Sequence, residues 1–319
     1  MNHAWRPTTL IQAPRLAARL GVSLVLASET FQHTGSFKFR AAYHLASHVP
    51  NPLVIAASSG NFGQALAHAC SLTGKASIIV MPGTSAKVKV DSVREYGGKV
   101  EFVDVRSKSR AGRVAELAAE HPEAYIASAY DDPFVIEGNS SLGEELACLD
   151  VDCVVAPVGG GGLTSGIVTG LRRALSAGAR PIGDLQHDVR LKYRGVEVIG
   201  AEPLLANDAA RSLREGRIVA NESEPQTVAD GARTLSLGRR NWAILKDGLA
   251  GIVEVPEDDI ARAVRLLFEL ANLKAEPTGA LSVGALLTEP ARFAGRSVCC
   301  VISGGNVDPA VYRDLLGSE

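Results

Sequence analysis

The sequence predicts an α/β protein whose parallel sheets are covered by helices on both faces. Three observations support this. Apolar runs too short for helices alternate with amphipathic stretches of helical length, and the connections between them are short. Three of the apolar runs end in turns built from Ser, Gly and Asn: Ser58-Ser59-Gly60-Asn61, Gly159-Gly160-Gly161-Gly162 and Ser303-Gly304-Gly305-Asn306. In doubly wound sheets the carboxyl ends of strands are where ligands bind.

The elements follow in order. Residues 24–27 form a short strand, and 37–48 a helix that Pro50 and Pro52 end. The apolar run 53–57 is a buried strand, followed by the Ser58 turn and a helix over 62–72. Strands at 76–80, 100–103 and 125–128 alternate with helices at 85–96 and 107–120. After Asp131-Asp132-Pro133 a helix runs through Leu146, then a strand over 153–158 enters the four-glycine turn and a helix over 163–177. Residues 178–195 carry no period and read as a loop. The sheet resumes at 196–201, with helices at 208–215 and 239–246 and a strand at 252–255. A helix opens at Pro256 with Glu257, Asp258 and Asp259 in its first turn, where acids suit the helix dipole. A helix over 278–287 and a strand over 297–302 complete the series.

Composition narrows the function. With 33 basic and 35 acidic side chains the net charge is −2, there is no basic block, and aromatics are few, so neither nucleic acid nor anionic lipid is an expected partner. No apolar run approaches the ~20 residues of a membrane span. The N-terminal stretch, with Arg6, Arg15 and Arg19 among prolines, lacks the apolar core of a signal peptide, and the expectation is a cytoplasmic enzyme. Cys70, Cys148, Cys153, Cys299 and Cys300 are odd in number, form no Cys-x-x-Cys, and read as reduced core thiols.

Lys38 is the candidate reactive group. It lies in Thr34-Gly35-Ser36-Phe37-Lys38-Phe39, where a loop passes into a helix. The positive end of the helix dipole and desolvation by Phe37 and Phe39 both favour the neutral amine, the form that attacks carbonyls. Four glycines before a helix present a nest of N–H groups that suits phosphate, although a nucleotide or close helix packing would use the same run.

Taken together, these residues resemble the fold-type II pyridoxal-phosphate enzymes, and within them the serine/threonine dehydratase and serine racemase family. The resemblance runs along nearly the whole chain: Ser36-Phe37-Lys38-Phe39-Arg40, Ser58-Ser59-Gly60-Asn61, Pro157-Val158 with the four glycines, Glu202-Pro203, Ala229-Asp230-Gly231, Glu276-Pro277-Thr278 and Ser303-Gly304-Gly305-Asn306. It implies two doubly wound, mostly parallel sheets of the tryptophan synthase beta-like type, with a small domain (51–134) inserted in a large one (1–50 and 135–319).

The resemblance also implies roles. Lys38 would bind the aldehyde of pyridoxal phosphate and take the substrate α-proton. Gly159, Gly160, Gly161 and Gly162 would hold the phosphate, Asn61 the ring hydroxyl and Ser303 the ring nitrogen. Ser58, Ser59, Gly60, Asn61 and Phe62 would bind the substrate carboxylate, with Ser59 as a second acid/base on the face opposite Lys38. Glu202, Asp208 and the carbonyl of Ala206 would bind a divalent cation, Mg²⁺ in the first instance. A homodimer is implied. Phe62 departs from the family, which more often has histidine there. Arg239 and Arg240 read as solvated surface arginines, with pairing of one of them to a distal substrate carboxylate, such as that of 3-hydroxyaspartate, as the alternative. The expected activity is dehydration of a β-hydroxy amino acid of the threonine or serine type to a 2-keto acid and ammonia. The alternatives are amino-acid racemisation, 3-hydroxyaspartate dehydration and, from another class, a non-catalytic phosphate-binding module.

Overall fold

The computed structural model describes residues 5–58, 60–85, 87–177 and 195–317. Two sheets carry the fold. The larger comprises Thr9–Gln12 (β1), Ser23–Ser28 (β2), Cys153–Pro157 (β7), Glu197–Pro203 (β8), Gly251–Val255 (β9) and Ser297–Ile302 (β10), in the order β1-β2-β10-β7-β8-β9. All its pairings are parallel except β1 with β2. The smaller sheet is wholly parallel and comprises Leu53–Ala57 (β3), Ala76–Pro82 (β4), Lys99–Val103 (β5) and Tyr125–Ala127 (β6), in the order β5-β4-β3-β6. Its strands fall between β2 and β7 in the chain, so the small sheet is an insertion in the large one.

The central strands are buried because helices cover both faces. All of β7 is buried, as are five of the six residues of β10, which explains their unbroken apolar runs in place of alternation. The helix Glu257–Ala271 buries Ile260, Ala263, Val264, Leu266 and Leu267 on one face. Asp132 caps the helix Pro133–Leu146 by accepting from Phe134 N at 2.8 Å. Both features follow from the apolar spacing and the Asp-Pro start read in the sequence.

Most expected elements are present with slightly shifted ends, while the strands over 53–57 and 297–302 and the helix Asp208–Glu215 keep their expected bounds. β1, the helices Pro14–Leu20, Pro290–Phe293 and Pro309–Gly317, and the 3₁₀ turns Leu204–Ala206 and Asp230–Ala232 have no counterpart among the expected elements. The expected loop at 178–195 lies, but for its last residue, outside the described residues. Of the five cysteines, which are all free, Cys148 is exposed and departs from the expectation of a core thiol. No helix among the described residues is long and apolar enough to cross a membrane.

Candidate active site

Lys38 is positioned by the end of β10. Ser36 and Gly304 form an antiparallel bridge, Phe37 N donates to Ser303 O at 3.0 Å, and Gly305 N donates to Gly35 O at 3.0 Å. These bonds stitch the lysine loop to the Ser303 turn. The helix Lys38–His48 then starts at the lysine itself. Nζ of Lys38 donates to Ala129 O at 2.7 Å and lies 4.9 Å from the ring centre of Phe37 and 5.7 Å from that of Phe62. Burial pushes its pKa down to about 8, against the opposing pull of the nearby Glu276 carboxylate.

One cavity of about 810 Å³ collects the residues singled out in the sequence. Lys38, Ser58, Gly60, Asn61, Phe62, Gly159, Gly160, Gly161, Gly162 and Ser303 all line it. Ser59 lies outside the described residues. Phe62 is 1% exposed and presents an apolar ring beside the Ser58 turn, whose hydroxyl accepts from Gly63 N at 3.1 Å.

The glycine turn is held by its carbonyls. Gly160 O accepts from Asn241 Nδ2 at 2.7 Å and from Gly238 N at 3.1 Å, Gly161 O accepts from Ser165 N at 2.9 Å, and Gly162 O from Asn139 Nδ2 at 3.1 Å. Among the described residues no hydrogen bond occupies the N–H groups of Gly159, Gly160 or Gly161. The turn thus offers donors at the start of the helix Gly162–Ser176, where the dipole favours an anion. Glycine is required here: a Cβ on Gly160 would stand 2.3 Å from the Tyr130 ring, and Gly161 has φ +93°. These are the properties a phosphate cradle needs.

Asn61 sits between two groups that the sequence reading left without a role. Its Nδ2 donates to Glu276 Oε1 at 2.8 Å, and its Oδ1 accepts from Asn306 Nδ2 at 2.8 Å. Glu276 is buried, and burial, with a smaller push from Asp230, raises its carboxyl to about 8, while Asn61, Lys89 and Lys38 oppose the rise. Contacts between residues 215 and 245 apart in sequence leave no local signal. The only hint was that Glu276 and Asn306 stand in motifs at a helix start and a strand end. Tyr130, whose ring packs on Gly160, carried no signal.

Glu202 and Asp208 are both 1% exposed and lie at the end of β8 and the start of the next helix. Glu202 accepts from Ala209 N at 3.2 Å and Ala210 N at 2.6 Å. Asp208 Oδ1 accepts from Asn221 Nδ2 at 3.0 Å, whereas its Oδ2 is buried without a partner. Burial raises both carboxyls, Asp208 to about 7. No group of three or more His, Cys, Asp or Glu is gathered for a metal among the described residues. Two buried carboxylates with one orphaned oxygen, and the turn of Ala206 between them, still fit an oxygen-ligated cation.

Arg239 and Arg240 are solvated surface arginines, as their sequence reading has them, and the alternative of a substrate contact does not hold. Both are exposed, outside the cavity wall, and their backbone N–H groups cap a helix on Asp131 at 3.1 and 3.0 Å. The cavity wall instead carries Lys89, Arg110 and Arg233.

Comparison with known proteins places this geometry in a family. Residues 1–304 match the family described as pyridoxal-phosphate dependent enzyme. An L-threo-3-hydroxyaspartate ammonia-lyase of Saccharomyces cerevisiae is 33% identical over 318 residues, covering 98% of this chain and 91% of the relative. The serine racemase of Homo sapiens is 33% identical over 313 residues, covering 94% and 86%. A crystal structure of the T.th. threonine deaminase superposes with a TM-score of 0.85 at 37% identity, over 96% of this chain and 94% of that one. With a matching family model, a half-buried lysine and a free glycine nest facing one cavity, the chain belongs to the pyridoxal-phosphate dependent enzymes.

Proposed function

We propose that this chain is a cytoplasmic ammonia-lyase that converts a β-hydroxy amino acid to a 2-keto acid and ammonia, acting as a homodimer, with residues 51–134 forming the small domain and 1–50 and 135–319 the large one. The observation that carries the reading is Lys38 with its lowered pKa, in one cavity with the unoccupied N–H groups of the glycine turn. Pyridoxal phosphate, when bound, supplies an aldehyde for amines and a ring that withdraws electrons from the α-carbon.

The chain's own residues do the rest. Gly159 to Gly162 would hold the phosphate, Asn61 the ring oxygen and Lys38 the aldehyde. Ser303 would serve the ring nitrogen, and a hydroxyl, unlike a carboxylate, does not hold that nitrogen protonated, which favours elimination over chemistry that needs a long-lived carbanion. Ser58, Ser59, Gly60, Asn61 and Phe62 would take the substrate carboxylate, and the Lys38 amine, when free, would remove the α-proton and pass a proton to the β-hydroxyl, which leaves as water. The enamine so formed tautomerises, water adds, and ammonia departs. Ser59 would serve as the second acid/base.

A keto-acid assay on L-serine, L-threonine and L-threo-3-hydroxyaspartate, with chiral chromatography of unreacted serine, tests this reading. Keto acid from at least one substrate supports it. Serine racemised with no keto acid formed would replace it with racemisation.

The lysine sets a pH dependence. Its amine attacks only when neutral, and its pKa is about 8. The rate at which cofactor-free protein combines with pyridoxal phosphate is therefore expected to rise with pH from about 6.5 to about 9 and to level off above, followed by the change in cofactor absorbance. A rate that falls over this range would contradict the assignment. Glu202, Asp208 and the Ala206 carbonyl are proposed to bind Mg²⁺ or another divalent cation. Chelation is expected to lower Tm by roughly 5 °C, the effect of losing a ligand held at about a hundredfold over its Kd. Returning Mg²⁺ or Ca²⁺ restores it, as thermal melts would show.

A further inference from the structure

The cavity wall holds three cations besides Lys38, and they differ in how their charge is met. Lys89 Nζ lies 2.6 Å from the Asp230 carboxylate, and Arg110 lies 3.6 Å from that of Glu224. Both acids line the same cavity, so these two charges are already balanced locally. Arg233 is different. Its Nε and Nη2 both donate to Thr227 O, at 2.8 and 2.6 Å, and it forms no ion pair among the described residues. Its guanidinium is thus held by a neutral carbonyl and by no carboxylate among the described residues, with Nη1 left over, in a partly buried position where screening by water is reduced.

A guanidinium fixed in place with N–H donors to spare is a receptor for a planar anion. Serine and threonine have no second anion to offer it, whereas a β-hydroxy amino acid with a distal carboxylate does. We infer that Arg233 selects β-hydroxy amino acids that carry a second carboxylate, the 3-hydroxyaspartate class, over serine and threonine. This rests on the lyase reading above. Anchoring to Thr227 O fixes the side chain in advance, so less rotamer freedom is lost when substrate arrives.

The test compares kcat/KM of the holoenzyme on L-threo-3-hydroxyaspartate, L-serine and L-threonine, for the unaltered protein and for Arg233→Gln, Arg233→Lys, Arg110→Gln and Lys89→Gln. A second readout, independent of turnover, is the affinity of malonate relative to acetate for the same holoproteins, from the shift in Tm with ligand concentration. The expected result is a preference of the unaltered protein for hydroxyaspartate, which Arg233→Gln reduces by about 100-fold relative to serine, the scale of one charge-assisted pair. Malonate affinity falls in parallel, and Arg233→Lys recovers part of both. An unchanged preference and unchanged malonate affinity in Arg233→Gln would overturn the inference. So would a loss that follows Arg110→Gln or Lys89→Gln instead. If no substrate yields keto acid, the lyase reading is what fails, and malonate binding still decides whether Arg233 reads a second carboxylate.

Discussion

Replacing Lys38 with alanine is expected to cut keto-acid formation by about 10⁴-fold or more, because one group serves as both the covalent anchor and the base. Its fold is expected to survive. Among the described residues Lys38 Nζ makes one hydrogen bond, to Ala129 O, and its amine is held in surroundings that already disfavour its charge. Removing it takes away a desolvated cation, so the melting temperature should hold or rise slightly. Lys38→Arg separates charge from nucleophilicity: it keeps a cation over Phe37 and Phe62 but supplies no neutral amine, and it is expected to be as inactive as the alanine variant. Steady-state assays beside thermal melts check both statements. Loss of activity accompanied by loss of folding would contradict them.

Arg40→Ala is expected to have the largest effect on stability, about 3–5 kcal/mol, the range seen when one partner of a buried ion pair is removed. Arg40 is fully buried two residues beyond the reactive lysine. Its Nε and Nη2 lie 2.8 and 2.9 Å from Glu29, which is also fully buried, and Nη1 and Nη2 lie 2.7 and 3.1 Å from Glu145. Glu145 in turn accepts from Thr8 N at 2.7 Å, so the network ties the start of the chain to the helix that carries Lys38. Without the guanidinium, Glu29 keeps its desolvation and loses its counter-charge. Burial already holds its carboxyl above the usual range, and the substitution raises it further. A group whose folded pKa is raised stabilises the fold at low pH and loses that contribution as pH rises. The deficit of Arg40→Ala should therefore shrink between about pH 8 and about pH 5, which denaturant titrations at the two pH values measure. A deficit independent of pH would locate its cause in packing alone.

How much of this was legible in the sequence depended on how local the cause was. The runs 53–57 and 297–302 announce buried strands because nearly every residue is apolar, and burial on both faces leaves no other pattern. The helix beginning near Pro256 is marked by three acids and a periodic apolar face. In contrast, β1 alternates half-buried and exposed residues on an antiparallel edge, and only its register with β2 makes it a strand. The site divides the same way. Lys38, Asn61, the glycines and Ser303 stand in turns at strand ends, and the parallel topology brings those ends together. Glu276 and Asn306, which fix Asn61, are reached only through long-range contacts. The basic segment was legible only in part: Arg239 and Arg240 start a helix and face solvent, as expected of surface arginines, while Arg233, a few residues earlier, lines the cavity without a local signal.

Borohydride reduction of the purified, cofactor-loaded protein, followed by peptide mapping, asks whether Lys38 holds the cofactor. Loss of the imine absorbance and a pyridoxyl adduct on the peptide bearing Lys38 are expected. A protein that fixes no cofactor, or fixes it on another lysine, would contradict the role given to Lys38.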